Sequence, residues 1–302
     1  MSHWQGAIRW PSVARAGYRF AFAEATNGPR TDATYGRNRS GANAVGIAVG
    51  AFHLARPSGR TPTAVTADAV AEADHFLAVA QPRTGDLFPV LDLEHTGGLR
   101  PPALAAWTTA WLAEVQLKLG VRATIYASPS FWRAAMRDST AFAAAGSRLW
   151  IAHWTHGRAP IVPARNWGSL GWTFWQWTDC SRVRGIRGCV DGDRFAGTSL
   201  TPALIPPPPV ATTPPAIVGV AAVGQTLTAS PGTWQAPKPP TFAFRWQRCD
   251  ATGAACTPIA GASAQTYVVT TADVGHALVV VVTATSRGRS ASAASPPTAP
   301  VA

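Results

Sequence analysis

Between Thr201 and Pro215 the chain places seven prolines in fifteen positions, four of them consecutive from Pro206 to Pro209. Such a run lacks backbone N–H donors and has φ fixed, so it continues neither a helix nor the interior of a sheet. It favours a stiff, extended linker, and the 302-residue chain is read as two domains joined through 198–215. The flanks differ in kind. Eleven of the thirteen tryptophans precede the run, where apolar stretches alternate with helical patterns, whereas the part after it shows no helical period.

In residues 1–197 short apolar runs lie at 19–23, 47–53, 88–94, 123–127, 149–154 and 172–177. Two segments between them have the 3.6-residue period. One places Leu104, Trp107, Thr108, Trp111, Leu112, Val115 and Leu119 on one face, opening at Pro101-Pro102 and stopping at Gly120. The other aligns Val65, Ala69, Ala73, Phe76 and Ala80. With strands also read at Ser2–Trp4 and near Val190, about eight strands alternate with fewer clear helices. This predicts an α/β fold, and the strand number fits a TIM-like β/α barrel best. Residues 216–302 read as an all-β sandwich, with strands at 225–229, 242–247, 265–269 and 278–285. Trp246, three residues before Cys249, is expected to pack on that cysteine's disulfide.

Hydrophobic residues make up 47% of the chain and charged ones 14%, which excludes wholesale disorder. No apolar run approaches the roughly 18 residues of a membrane span. The net charge of +11 comes from arginines spread along the chain, without the dense tract or motif of a nucleic-acid binder. Cys180, Cys189, Cys249 and Cys256 form two close sequence pairs without the Cys-x2-Cys spacing of a zinc site. Three pairings are open, as are four reduced, buried thiols; the two local disulfides are expected. Disulfides persist outside the cytosol, yet the chain opens on Met1-Ser2-His3-Trp4 with no secretory leader.

The most informative segment is Phe88-Pro89-Val90-Leu91-Asp92-Leu93-Glu94-His95. On a strand Asp92 and Glu94 face one way, and Leu91 and Leu93 the other. Paired carboxylates at a strand end push one pKa upward, as a general acid at neutral pH requires. A structural pair satisfied by arginines is the competing reading. Other strand ends carry Phe52 and His53, Tyr126, Trp154, and Trp175 and Gln176. Rings for sugar faces and polar groups for hydroxyls are what a glycan cleft needs, so these six are candidate substrate-binding residues.

Taken together, Ser2-His3-Trp4-Gln5-Gly6, Phe20-Ala21-Phe22-Ala23, Gly50-Ala51-Phe52-His53, Leu91-Asp92-Leu93-Glu94, Ile125-Tyr126, Leu149-Trp150-Ile151-Ala152, Trp172-Thr173-Phe174-Trp175-Gln176 and Val190-Asp191 resemble glycoside hydrolase family 25. The motifs occur in that family's order across the first domain. The resemblance implies an irregular barrel with fewer helices than strands. It implies a lysozyme (muramidase) cutting the β-1,4 bond between N-acetylmuramic acid and N-acetylglucosamine in peptidoglycan, generally with retention. It also implies that Glu94 is the general acid, supported by Asp92 and Asp191. Neither a metal nor a cofactor is expected, and the partner is peptidoglycan, met by a monomer outside the cell or in its wall. Family members usually read Asp-Val-Ser-His before Trp-Gln-Gly. Met1 stands at the Val position, so a mis-assigned start is expected, with the Asp and an export signal upstream.

The second domain resembles the immunoglobulin-like modules of secreted actinobacterial proteins, through Val223-Gly224-Gln225-Thr226-Leu227, Gly232-Thr233-Trp234, Trp246-Gln247-Arg248-Cys249, Ile259-Ala260-Gly261-Ala262 and Asp273-Val274-Gly275. A spacer role is expected for it, with Trp234, Phe244 and Trp246 as core. The competing class for the whole chain is a non-catalytic glycan-binding barrel. A chitinase-like enzyme is disfavoured, because the longer acidic run of that family is absent before Asp92.

Overall fold

The computed structural model describes residues 1–155 and 157–302. The chain forms two compact units, Met1–Ile205 and Pro206–Ala302. The first is built on one curled sheet of β1 (Phe20–Asn27), β2 (Arg30–Thr31), β3 (Ala48–Leu54), β4 (Val90–Asp92), β5 (Thr124–Ala127), β6 (Leu149–Ala152), β7 (Phe174–Ser181) and β8 (Val190–Phe195). Its order is β2-β1-β3-β4-β5-β6-β7-β8. Neighbours from β1 to β7 run parallel, β8 returns antiparallel to β7, and β2 is a hairpin arm on β1. Residue 1 lies along β1: its amine donates to the Phe22 carbonyl at 2.9 Å, and its carbonyl accepts from the Glu24 N–H at 2.8 Å.

Helices α1 (Trp10–Arg15), α2 (Tyr35–Asn43), α3 (Pro62–Ala80), α4 (Pro101–Leu119), α5 (Pro129–Ala135) and α6 (Ala141–Ala144) connect these strands. The two periodic segments are α3 and α4. Thr61 caps α3 by accepting from the Ala64 N–H, with proline at the first helical position. Gly120 ends α4 with φ of 72°, a left-handed geometry that costs glycine nothing. The helices bury the faces read from the sequence, and Ala69 and Ala73 on α3 keep its buried stripe thin beside the bulky Trp107 and Trp111 of α4. Burying side chains of the latter size stabilises by about 2–3 kcal/mol each. A further helical segment, Pro163–Gly168, turns left-handed at residues 164–167, anchored by the Trp167 indole N–H to the Ser147 carbonyl at 2.7 Å.

Strand periodicity divides the side chains between two layers. Leu91, Ile125, Leu149 and Ile151 join the helix-facing core with Trp107 and Trp111. Phe22, Val90, Tyr126, Trp150 and Phe174 fill the inside of the barrel. Phe22 stacks on Trp150 with centroids 4.1 Å apart, and Tyr126 meets the same indole edge-on at 4.6 Å. This aromatic plug forms the floor of the site described below.

Two segments depart from expectation. The strand anticipated at Ser2–Trp4 is a 3-10 turn, His3–Gln5, closed by a capping box in which Ser2 and Gln5 exchange side-chain-to-backbone hydrogen bonds. The segment 198–215 is not a free linker. Residues up to Ile205 belong to the barrel: Leu204 bridges Leu87, Phe88 N–H donates to the Ala203 carbonyl at 3.0 Å, and Ile205 N–H donates to the Asp86 carbonyl at 2.8 Å. Apolar Ala203 and Ile205 are thereby buried.

The second unit is all-β. It holds β9 (Val210–Thr213), β10 (Ala216–Val218), β11 (Thr226–Ser230), β12 (Thr233–Gln235), β13 (Thr241–Cys249), β14 (Thr257–Pro258), β15 (Thr266–Val268), β16 (Ala277–Ser286) and β17 (Arg289–Ala294). The sheets are β10-β11-β15, β12-β9 and β14-β13-β16-β17, all antiparallel. β9 therefore takes up residues expected to be linker. Trp246 is fully buried with Leu227, Val280 and Val282, and it stacks on Tyr267. Cys249, three positions along the same strand, falls in a separate cluster with Ala277 and Val279, because an odd spacing points the two side chains to opposite faces. Cys180 bonds Cys189 and Cys249 bonds Cys256, the two local pairs. Among the described residues no helix is long and apolar enough to cross a membrane.

Candidate active site

β4 ends in Asp92 at the carboxyl end of the parallel sheet, and Glu94 is the second residue of the loop that follows. Val90 and Leu91 are wholly buried, which fixes the strand, while Asp92 and Glu94 project into a cavity of about 320 Å³. The aromatic plug and Phe52 line its floor, Asp191 and Asp193 come from β8, and Val183 and Ile186 from the β7–β8 hairpin form one wall. A second hollow of about 520 Å³ adjoins it, lined by Ser128, Arg133, His153 and Trp154. Glu94 and Tyr126 line both. Glu94 is exposed where Asp92 is buried, so two carboxylates two residues apart live in different solvents.

Burial first, then the charge of Glu94 and a hydrogen bond with it, push the Asp92 carboxyl well above the usual range. Asp92 Oδ1 is buried with no hydrogen-bond partner. Burial also raises Asp191. Asp193 is pushed up to about 7 by burial, against the lowering effect of the Trp150 indole N–H that donates to it at 2.7 Å. Burial and the charge of Asp92 push the Tyr126 phenol upward, so it stays a neutral donor. It donates to Gln176 Oε1 at 3.0 Å, and the indole N–H of Trp154 donates to the same oxygen at 2.9 Å. Gln176 thereby ties the inside of the barrel to a tryptophan that remains 58% exposed at the second hollow.

The structure brings together Asp92, Glu94, Asp191, Phe52, Tyr126, Gln176 and, in the adjoining hollow, Trp154. It does not bring His53 or Trp175 there. His53 points from β3 toward the helices, where its Nε2 lies 2.7 Å from Glu72 and its Nδ1 lies 2.7 Å from the Thr26 hydroxyl, with Trp111 stacked on it. Burial lowers the pKa of His53 although Glu72 opposes this. Trp175 likewise faces the outer core and donates to the His153 carbonyl at 2.8 Å. Adjacent strand residues face opposite ways, so only one of Phe52 and His53, and one of Trp175 and Gln176, can enter the cavity.

Asp193 and Trp150 were not singled out from the sequence. The signal for Asp193 was the same as for Glu94, since Asp191 and Asp193 lie two apart on a strand and share a face. Beside the cavity, His3, Glu24 and Asp32 bring one nitrogen and two carboxylate oxygens within 4.8 Å of one another. No His-containing cluster was anticipated here. Burial would raise Asp32, but hydrogen bonds from Thr34 and His3 outweigh it and hold the carboxylate low, so it works as a local anchor.

The profile described as Glycosyl hydrolases family 25 matches residues 1–186. Lysozyme M1 of Streptomyces globisporus is 34% identical over 209 residues, which cover 66% of this chain and 67% of that protein. N,O-diacetylmuramidase of Arthroderma benhamiae is 28% identical over 195 residues, 61% of this chain and 77% of that one. The crystal structure of the bacterial lysozyme from Streptomyces coelicolor is 33% identical with a TM-score of 0.60, covering 67% of this chain and 92% of that chain.

Proposed function

This chain belongs to glycosyl hydrolase family 25, and from that premise we propose that it is a peptidoglycan muramidase cutting the β-1,4 bond between N-acetylmuramic acid and N-acetylglucosamine. The observation that carries the reading is the place of Glu94 at the junction of two hollows, with buried Asp92 beside it in the first. A glycan strand lying through both hollows would cross Glu94 at one glycosidic oxygen. The rings of Phe52, Tyr126 and Trp154 suit the apolar faces of pyranoses on either side.

In this reading the two carboxyls share a proton. Burial holds it on Asp92 while Glu94 stands in water. A sugar covering Glu94 displaces that water and sets the leaving oxygen against Glu94, through which the proton held on Asp92 passes. Glu94 then protonates the leaving oxygen as general acid, and Asp92 is left charged beside the developing oxocarbenium ion. Asp191 and Asp193 bring two further carboxyls to the same cavity. When water attacks the sugar, Glu94 accepts its proton and the pair is restored. The two disulfides suit work outside the cytosol, where the substrate lies.

The test is reducing-end release from purified peptidoglycan. The Glu94→Gln chain is expected to lose activity by about 10³-fold with an unchanged melting temperature, since the side chain is exposed. The new ends are expected to be muramic acid. Full activity in the variant would sink the assignment of Glu94, and faster cutting of chitin than of peptidoglycan would sink that of the bond.

A further inference from the structure

The hairpin between β7 and β8 is closed by Cys180–Cys189, and within residues 181–188 it carries Arg182, Arg184 and Arg187. Its apolar members reach the catalytic cavity: Val183 is buried, Ile186 is half-buried, and both line it. The hairpin is thus a wall of the cleft whose apolar residues border both the cavity and the arginines beside it. Gly185, at φ +102°, presses against the start of α1, and a Cβ there would lie 2.7 Å from the Arg9 carbonyl. The Arg9 N–H donates to the Gly185 carbonyl at 2.8 Å, which brings a fourth guanidinium to the same rim.

Arg9 and Arg187 line one hollow of about 580 Å³, and Arg182 and Arg184 line another of about 380 Å³. Both hollows touch Ile186, which is also a residue of the catalytic cavity. All four arginines are exposed, and none takes part in an ion pair among the described residues. Like charges held in one short closed loop repel one another, a cost that an anionic ligand would reverse. The catalytic cavity is lined instead by the carboxyls of Asp92, Glu94, Asp191 and Asp193 among aromatic rings, and it has no comparable cluster of guanidinium groups. A ligand that suits both surfaces has a neutral backbone in the cleft and anionic groups projecting from its side.

We infer that the arginine hairpin is a binding site for carboxylates on the peptide branches of the glycan strand held in the cleft. Guanidinium groups match carboxylates with paired hydrogen bonds. The shared Ile186 places the hollows where groups carried on that same strand arrive, rather than a separate wall polymer. This inference rests on the peptidoglycan reading of the cleft.

The test uses soluble glycan–peptide chains freed of phosphodiester polymers, either unmodified or with their carboxylates converted to methylamides. For the full chain, amidation is expected to raise KM about tenfold, the sum of several exposed ion pairs, with kcat unchanged. The Arg182→Ser/Arg184→Ser/Arg187→Ser variant is expected to show the higher KM on both substrates and an unaltered kcat on the amidated one. A variant that keeps the amidation effect, or that loses kcat on amidated chains, overturns the inference. So does a carboxylate effect that appears only when phosphodiester polymer is left on the chains. If neither protein releases reducing ends, the catalytic reading has failed. Retardation of the same chains in affinity electrophoresis then tests the arginines alone: binding that amidation and the variant both weaken about tenfold supports them, and equal binding overturns them.

Discussion

A carboxyl group taken out of water holds its proton more tightly, and Asp193 shows what this costs the fold. Its pKa is about 7 in the folded protein against an unfolded value near 3.9. The folded state therefore binds the proton more strongly, so the stabilisation is complete below about pH 4 and is lost as pH rises through about 7. Replacing Asp193 by Asn keeps an oxygen for the Trp150 indole and removes the buried charge. The Asp193→Asn chain is expected to be more stable by about 2 kcal/mol at pH 8, near 5 °C in melting temperature, with the gain gone by pH 4. Melting curves across that range check it, and a gain that does not vary with pH would refute the burial argument. At this scale the sequence made parity legible but not direction. Parallel strands covered on both faces are apolar throughout. Nothing local distinguished Phe52 from His53, or Gln176 from Trp175, as the residue turned inward. His53 looked like a site residue because it is polar; its partners Glu72 and Thr26 lie on other elements and left no trace in the run around it.

Elements were legible where one periodic pattern was long enough. α3 and α4 bury the stripes their spacing predicts, because 19 residues give the 3.6-residue period five turns in which to repeat. Ser2–Trp4 was too short for period, and its Ser2…Gln5 capping signature was the better guide to the turn it forms. Close approach between strands was legible only as a glycine. At Gly50 on β3 a Cβ would sit 2.5 Å from two ring atoms of Phe22 on β1 and 3.1 Å from the Leu87 Cβ. Phe22 cannot yield freely, since it is stacked on Trp150 and edge-on to Phe174 at 4.9 Å. Gly50→Ala is expected to cost about 1–3 kcal/mol by overpacking and to disturb the cavity floor. A lowered melting temperature with weakened near-ultraviolet dichroism of the aromatic stack is the expected result. An unchanged melt would mean that β1 and β3 separate at little cost.

For the whole molecule, proline content marked a break but not its position. The limit of the barrel depends on what Leu204 and Ile205 meet, and their partners Leu87 and Asp86 lie more than a hundred residues earlier in the chain. Ile205 is the last residue before the four prolines, and its N–H donates to the Asp86 carbonyl while its own carbonyl accepts from Gly85 at 3.0 Å. Pro206 to Pro209 have no N–H to offer, so this pairing cannot run on, and the first unit ends there. The two possible ends of the first unit therefore have different consequences. A chain stopped after Ile205 keeps Ile205 in its cluster with Phe88 and Val121 and Ala203 in its cluster with Leu87, and is expected to melt as the first unit does in the full protein. It is also expected to release reducing ends from soluble glycan chains at the full protein's rate, because every residue lining the cavity lies within it. A chain stopped after Gly197 uncovers that apolar surface and frees the N–H groups of Gly85 and Phe88. Lost burial alone is worth about 2–4 kcal/mol, so its melting temperature is expected to fall by roughly 5–10 °C. Equal melting of the two truncated chains would show that residues 198–205 contribute nothing to the barrel, and would return them to the linker that the prolines first suggested.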